Sequence, residues 1–426
     1  MKSNQKRPSL LVLSPEGILP PSHGGSLRSA HVIMGLAQHF ATTVVLPQSN
    51  EGIRRVVEQR PDLSGVQWVS SFQGLGQRNR SLVDRVRNRI DCWRESRLRA
   101  RWTGVGHNWA FGPLSSWYEV LGDVISNGQP DIVMVEHTRH AATMAWLKHR
   151  CPRACLVVNS QNVESDLLRQ IIPSAVPGKK KQNWIREVES NERNLGKYCN
   201  LLWSCSEQDQ DRYKKLGVNC RNWGVVPNGV DVIATPFRNS NVAHTESRIL
   251  FIGTLCYVPN EQGIAWFNRT VWPILKASVP GIKWRIVGRA PSPAVRDLAV
   301  LDGSIELYAD VPSTQPHLAV SQVGICPLHS GGGTRLKILE AFSAGLPMVS
   351  TTLGADGIDA VPSKHLKIEN DPQAFADAIV GLLTDSNMAE EMRASAREFV
   401  VGKYVWEVIL DQAATQLKDL LRTQNY

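Results

Sequence analysis

Short apolar runs alternate along the whole chain with longer stretches in which apolar residues recur every three or four positions. The runs Ser9 to Ser14, Thr43 to Pro47, Val66 to Val69, Ile132 to Glu136, Ala154 to Asn159, Leu201 to Ser204 and Gly224 to Val226 are apolar on both faces and bounded by Gly, Pro or polar residues. They predict strands buried on both sides, which with helical stretches between them predict an α/β fold built on parallel sheets. The stretch Pro236 to Arg248 has no period and predicts a linker. A second series follows: Arg248 to Gly253, Lys283 to Gly288, Ile305 to Tyr308, Val323 to Pro327 and Pro347 to Ser350. Two such series predict two doubly wound, Rossmann-like domains, 1–235 and 248–403, with ligands at the carboxyl ends of the strands and an active cleft between the domains. A last helical pattern, Tyr404 to Leu421 within the segment 404–426, comes after the second series is complete and is free to pack back on the first domain.

Composition narrows the class. With 426 residues, 42% hydrophobic and 20% charged, a disordered chain is excluded and two or three domains are expected. The longest apolar stretch near the start, Leu10 to Leu13, is far short of a secretion signal or of the ~20 residues that span a bilayer. The eight Cys are scattered without a C-x-x-C pair, which predicts reduced thiols in a cytoplasmic protein and no metal. Charge is uneven: residues 1–230 hold 31 Lys+Arg against 19 Asp+Glu, and the rest 17 against 20. An anionic partner therefore belongs to the first half.

Several segments carry candidate chemistry. His23-Gly24-Gly25 sits at a strand-to-helix turn, where two glycines either let backbone amides approach an anion or simply serve a tight turn. The fingerprint G-x-G-x-x-G is absent here and after Gly253, which removes the main support for a dinucleotide dehydrogenase. The most informative segment runs from Gly331 to Ser350: three glycines, then Thr334, Arg335 and Lys337, then a helix that ends at Gly345. Free amides of a helix N-terminus flanked by two cations suit an anion the size of a diphosphate. Cations at that end are otherwise unfavourable by a few tenths to ~1 kcal/mol. Glu340, in an apolar helix, either pairs with Lys337 at i,i+3 or accepts hydrogen bonds from a polyol such as ribose. Pro227-Asn-Gly-Val-Asp231 reads as a turn, and Ser206 as a helix N-cap with acidic Asp209 at the third helical position. The segment Arg78 to Arg101 has nine Arg with apolar residues near helical spacing. It is a candidate basic amphipathic helix, for an anionic membrane face or as an ordinary solvated face.

In order along the chain, Pro21 to Gly25 with Arg28, Asn162-Val-Glu164, Ser204 to Glu207, Pro227 to Asp231, Phe251 to Gly253, Pro259-Asn260, Val287 to Arg289, Gly332 to Ala341 and Trp406 resemble the retaining nucleotide-sugar glycosyltransferases of the GT-B fold. The family is the large family four, and the resemblance is strongest to its bacterial exopolysaccharide and surface-glycan members. It implies that Gly24 and Gly25 approach the diphosphate or the reacting sugar, and that Arg335 and Lys337 neutralise the diphosphate. It further implies that amides from Gly332, Gly333 and Thr334 bind phosphate or sugar hydroxyls, that Asn228 lies at the nucleotide-sugar site, and that Glu340 holds the ribose. Two departures stand out. In many members the glutamate at the place of Glu340 is the second of a pair with seven residues between them, and the first place here is Gly332; relatives usually carry His immediately before Asn-Val-Glu, where this chain has Gln161. Gln161 cannot titrate near neutrality. The chain then does without a catalytic imidazole or takes one from His137, the better placed, or from His140, with a capping or packing role equally open to His137.

The expected activity is transfer of a hexose from a nucleotide diphosphate sugar to an acceptor hydroxyl on a glycan or lipid-linked glycan, with retention and without cofactor or metal. The alternatives are an epimerase of the same fold and a catalytically silent nucleotide-sugar-binding scaffold. Nucleic acid is not an expected partner, because the Arg run lacks interleaved aromatics. The expected location is the cytoplasm, including the inner membrane face.

Overall fold

The computed structural model describes residues 7–14, 17–71, 114–138, 141–172, 176–238 and 246–424. The Arg-rich segment 78–101 and His140 lie outside the described residues. The chain forms two compact units, Met1–Val226 with Leu410–Tyr426, and Pro227–Ile409.

The first unit runs β1 (Ser9–Leu13), α1 (Gly24–Ala37), β2 (Ala41–Leu46), α2 (Asn50–Gln59), β3 (Gln67–Ser70), α3 (Leu114–Asn127), β4 (Ile132–Glu136), α4 (Ala141–Arg150), β5 (Cys155–Asn159), α5 (Glu164–Ile171), α6 (Gly178–Tyr198), β6 (Leu201–Ser204), α7 (Glu207–Lys215) and β7 (Asn222–Val225). A single 3-10 segment, Pro61–Gly65, precedes β3. The strands form a seven-stranded sheet in the order β3-β2-β1-β4-β5-β6-β7, parallel throughout. Central strands β4, β5 and β6 are buried at every position, because helices cover both faces of a doubly wound sheet. That is why they appear in the sequence as unbroken apolar runs. Helix α1 buries Ser29, Val32, Ile33 and Leu36, the i, i+3, i+4, i+7 stripe of a helix laid on a sheet.

The second unit repeats the design with β8 (Arg248–Thr254), α8 (Val258–Thr270), α9 (Trp272–Ser278), β9 (Lys283–Arg289), α10 (Pro293–Leu301), β10 (Ile305–Ala309), α11 (Gln315–Val320), β11 (Val323–Cys326), α12 (Leu336–Ala344), β12 (Met348–Ser350), β13 (Lys367–Ile368), α13 (Pro372–Thr384) and α14 (Ser386–Lys403). Its sheet order is β10-β9-β8-β11-β12-β13, again parallel. Phe251, Phe267, Trp272, Trp284, Phe342 and Phe375 fill its core. In both sheets the strand order reverses beside the first strand, at β1/β4 and at β8/β11. Each pair of carboxyl ends there opens a crevice for a ligand.

Every apolar run of the two series coincides with a strand, although β2 and β7 begin earlier than the runs suggest. Strand β13 was not anticipated; its two residues are too few to leave a periodic signal. The division between the units falls at Val226, so 227–235, expected with the first domain, packs with the second. The cause is visible in its bonds: Asn228 Nδ2 donates to Thr334 O at 2.9 Å and Val230 N to Tyr404 O at 2.8 Å. Gly229 also lies so close to Trp406 that a Cβ would be 2.6 Å from its ring. Phe237 and Arg238, inside the expected linker, are likewise engaged, with Phe237 against Gly345 and Arg238 on the Gly345 carbonyl. The final helix, α15 (Trp406–Gln424), belongs to the first unit from Leu410 onward. Gln416 explains this, accepting from Trp203 Nε1 at 2.7 Å and donating to Trp223 O at 3.1 Å. No described helix is long and apolar enough to cross a membrane.

Strands β8 and β9 are pressed together at Gly253 and Gly288, where a Cβ on Gly288 would lie 1.7 Å from the Gly253 carbonyl oxygen. Gly288→Ala must push the two strands apart and should lower stability by at least ~2 kcal/mol in urea denaturation, the scale of core overpacking. A midpoint unchanged from the wild type would show that the strands part freely.

Candidate functional site

At the β1/β4 reversal of the first unit, His23 caps α1. Its Nδ1 accepts from Ser26 N at 3.3 Å, and Ser26 Oγ accepts from His23 N at 3.0 Å. This capping box leaves the first-turn amides of Gly24 and Gly25 without an intrahelical acceptor. Beneath them lies a buried polar network that the sequence did not reveal. Glu136, at the end of β4, accepts from Ser29 Oγ at 2.7 Å, Asn159 Nδ2 at 2.9 Å and Gln161 Nε2 at 3.4 Å. Arg28 Nη2 donates to Asn159 Oδ1 at 3.0 Å and to Val226 O at 2.7 Å. Gln161 Nε2 also donates to Ser29 Oγ at 2.9 Å and Gly25 O at 3.4 Å. A Cβ at position 25 would lie 2.9 Å from Gln161 Oε1, so the glycine is required by the amide packed against it.

His137 follows β4 in a left-handed conformation, φ 68°, which is uncommon for a residue with a side chain and marks a constrained position. Its amide donates to Asn159 O at 2.9 Å, and its buried ring places Nδ1 3.9 Å from Glu164 Oε1. Glu164 opens α5, whose first amides are capped by Glu192 of α6: Oε1 accepts from Glu164 N at 2.7 Å. Burial, the larger cause, and the nearby Glu164 push the Glu192 carboxyl up to about 8. Nothing in a long polar helix distinguishes Glu192 beforehand. Its role comes from a helix 28 residues away.

At the β8/β11 reversal of the second unit, the loop after β11 leads into α12. Gly331 and Gly333 have φ of 124° and 67°, conformations open to glycine. A Cβ on Gly331 would meet Arg335 Nη2 at 2.8 Å. Gly332 and Gly333 present carbonyls to Arg335 Nη1. Arg335 is the N-cap of α12, one position before the first turn, and no side chain caps the helix. The guanidinium is buried, and among the described residues its Nε and Nη2, with Thr334 Oγ1, have no hydrogen-bond partner. Helix α12 ends as expected in a left-handed Gly345, φ 68°.

Lys337 does not pair with Glu340. Its Nζ donates to Asn260 Oδ1 at 3.0 Å and stands 4.0 Å from the centroid of the Phe251 ring. Burial lowers the Lys337 pKa to about 8, with Arg335 adding to the fall while Cys326 and Glu340 oppose it. Burial likewise raises Glu340 to about 7 against the pull of Lys337. Among the described residues Glu340 makes no hydrogen bond or ion pair, which disposes of the simple i,i+3 pair. Of the residues singled out in the sequence, Asn228, Gly332, Gly333, Thr334, Arg335, Lys337 and Glu340 belong to the second unit, and Gly24, Gly25 and His137 to the first. Asn260 stands in the sequence only as part of the Pro259-Asn260 motif, and local spacing does not indicate its bond to Lys337. Among the described residues, no group of three or more His, Cys, Asp or Glu is placed to hold a metal ion.

Two doubly wound Rossmann-like units, each with its ligand crevice beside its first strand, define the fold as GT-B. Residues 246–385, all within the second unit, match the model of the family described as "Glycosyl transferases group 1". A 176-residue stretch is 27% identical to an uncharacterized 44.6 kDa protein in the cps region of Klebsiella pneumoniae, covering 40% of this chain and 45% of that protein. The match thus spans less than half of the relative's length. Sucrose-phosphate synthase from Thermosynechococcus elongatus is structurally similar with a TM-score of 0.73 and 14% identity, over 98% of this chain and 100% of that one. HepE from Anabaena, in complex with UDP and glucose, gives a TM-score of 0.67 and 14% identity, over 97% and 100%. At such identities the likeness to these structures is one of fold.

The raised Glu340 pKa has a consequence for stability. In the unfolded chain the carboxyl ionises near 4.5, whereas in the folded chain it keeps its proton until about 7. Between those values the folded state binds more protons, so this group's contribution to stability falls as pH rises. Glu340→Gln should remove that slope, a difference on the order of 2 kcal/mol between pH 4.5 and 7 in urea denaturation. Parallel pH profiles for variant and wild type would show that Glu340 is as solvated as in the unfolded chain.

Proposed function

We propose that the chain transfers a hexose from a nucleoside diphosphate sugar to an acceptor hydroxyl on a glycan or a lipid-linked glycan, with retention at the anomeric carbon. The observation that carries this reading is the buried Arg335 guanidinium, whose Nε and Nη2 lack any partner among the described residues, at the uncapped N-terminus of α12. Those nitrogens, the Lys337 ammonium and the first-turn amides form a set of donors waiting for an anion with several oxygens. As the bond from the anomeric carbon to the diphosphate breaks, charge develops on the leaving oxygens. Donors already aimed there lower the barrier without rearranging. Glu340, unpaired and beside the cations, is suited to ribose hydroxyls. The loop amides of Gly332, Gly333 and Thr334, with Asn228 bonded beneath them, would hold phosphate or sugar oxygens.

In the first unit, Gly24 and Gly25 offer amides toward the diphosphate or sugar, and His137 is the imidazole at that strand end. The cations that neutralise the leaving group come from the chain itself, and the reading calls for no cofactor. The match to the glycosyl transferases group 1 model and the UDP and UDP-glucose held by the structurally similar HepE support the donor class. Retention and the surface-glycan setting rest on the resemblance of the sequence motifs.

Incubation with a panel of nucleoside diphosphate hexoses and hydroxyl acceptors tests the proposal, with free nucleoside diphosphate and glycosylated acceptor as the expected products. An isomerised donor would indicate an epimerase, and binding without turnover a scaffold. Arg335→Ala and Lys337→Ala should each lower turnover at least ~10-fold with the fold intact. Because Lys337 loses its proton near pH 8, donor affinity should fall as pH rises through that value in the wild type and stay level in Lys337→Ala. Near-wild-type turnover in both variants would overturn the assignment.

The segment Arg78 to Arg101, with nine Arg, is the proposed contact with an anionic membrane face, where each Lys or Arg is worth ~1 kcal/mol. Sedimentation should show binding to anionic but not neutral vesicles, lost in about 1 M salt, where screening extends only ~3 Å. Equal partition into both would make the segment an ordinary solvated face.

A further inference from the structure

The ammonium of Lys337 is held by neutral groups although a carboxylate lies one helical turn away. One of its three protons goes to Asn260 Oδ1 at 3.0 Å, and another side of the group faces the Phe251 ring, 4.0 Å away. Glu340, at i,i+3, is the partner that helix geometry offers, and the ion pair is not made. Asn260 is fixed in turn. It is buried, its backbone N donates to Tyr257 O at 2.8 Å, and its Nδ2 donates to Thr254 O at 2.8 Å. A carbonyl oxygen only accepts, so the side-chain amide must turn its oxygen to Lys337. Gly253 leaves the room: a Cβ there would lie 2.7 Å from Asn260 Nδ2 and 3.1 Å from Lys337 Nζ.

We propose that Asn260 is a positioning residue that holds the Lys337 ammonium away from Glu340, keeping the cation free for a diphosphate and the carboxylate free for hydroxyls. A neutral acceptor orients the ammonium without cancelling its charge, whereas an ion pair would silence both groups at once. This role rests on the reading of α12 as a nucleoside diphosphate sugar site. The charged and titratable neighbours of Lys337 are Arg335 at the start of its own helix, Glu340 within it, and Cys326 of β11.

The test compares the full-length wild type with Asn260→Ala, Glu340→Gln and the double variant Asn260→Ala/Glu340→Gln. The first readout is the titration of Lys337, followed as the pH dependence of its acetylation by acetic anhydride with mass spectrometry. In Asn260→Ala the ammonium should swing to Glu340 and its pKa should rise by about one unit or more, returning toward the wild-type value in the double variant. The second readout is affinity for inorganic pyrophosphate, which carries the diphosphate charge without base or ribose. Asn260→Ala should bind it roughly ten-fold more weakly, the scale of one charge-assisted hydrogen bond, and adding Glu340→Gln should restore most of the loss. A merely structural asparagine would not be rescued by removing a carboxylate. Should Asn260→Ala fail to fold, Asn260→Asp keeps the shape and sets a negative charge on the ammonium, with the same expected rise in the Lys337 titration and the same weaker binding. An unchanged Lys337 titration in the folded variants, or a double variant that binds no better than Asn260→Ala, overturns the positioning role. The titration needs no nucleotide. A shift there in a protein whose wild type ignores pyrophosphate would support the positioning of Lys337 while removing the diphosphate reading.

Discussion

The second unit depends on an electrostatic conflict at α12. A helix carries about half a positive charge at its N-terminus, and here that end is occupied by Arg335, with Lys337 in the first turn. The opposite end is fully answered. The Gly345 carbonyl accepts from Arg238 Nη2 at 2.9 Å and Arg393 Nε at 2.8 Å, and Ser343 O accepts from Arg397 Nη1 at 2.7 Å. Burial, with Arg393 beside it, lowers Arg238 to about 10, so crowding guanidinium groups there has a cost that the helix carbonyls offset. With its negative end neutralised, the helix presents an unbalanced positive potential at the loop of Gly331 to Gly333. Guanidinium nitrogens buried without acceptors are a deficit that packing cannot repair, and an incoming anion can.

The first unit solves the same topological problem differently. Its crevice is also flanked by a glycine turn and a helix start, but the side chains beneath are bonded to one another. Glu136 has three donors, and Arg28 is held by Asn159 and the Val226 carbonyl. Such a network, internal to the unit, rigidifies the turn it supports. One unit therefore offers a fixed backbone surface and the other a set of charges held ready, a division of labour set by where acceptors are supplied and where they are withheld.

Most of the fold was legible because parallel strands covered on both faces must be apolar at successive positions, as in Ile132–Glu136 or Leu201–Ser204. The glycines were legible for a related reason: Gly345 ends a helix in the left-handed region, which few other residues enter. Within the site, residues joined by a local rule were found, and those joined across the sheet were not. Spacing grouped Arg335, Lys337 and Glu340, and offered a Lys337–Glu340 pair that a residue 77 positions away replaces. Glu136 and Glu192 escaped notice because a buried carboxylate acquires its meaning from donors on other elements, and no local pattern encodes them. The early division at Val226 escaped for the same reason, since it depends on Asn228, Gly229 and Val230 meeting Thr334, Trp406 and Tyr404.

The two departures from the resembling family acquire physical content in this setting. Gln161 Nε2 serves Gly25 O, Ser29 Oγ and Glu136 Oε2 from one amide nitrogen, and an amide does so at every pH. An imidazole in its place would bring a proton that comes and goes near neutrality into direct contact with a buried carboxylate. Glutamine thus adds no titratable group to the floor under the glycine turn. Gly332 acts in the same direction at the other crevice. A glutamate there would add a negative charge three residues before Arg335, whose Nη1 already donates to the Gly332 carbonyl. Both departures remove a charged or titratable group, which leaves Glu340, raised to about 7, and Lys337, lowered to about 8, as the pair on α12 whose charge changes around neutral pH.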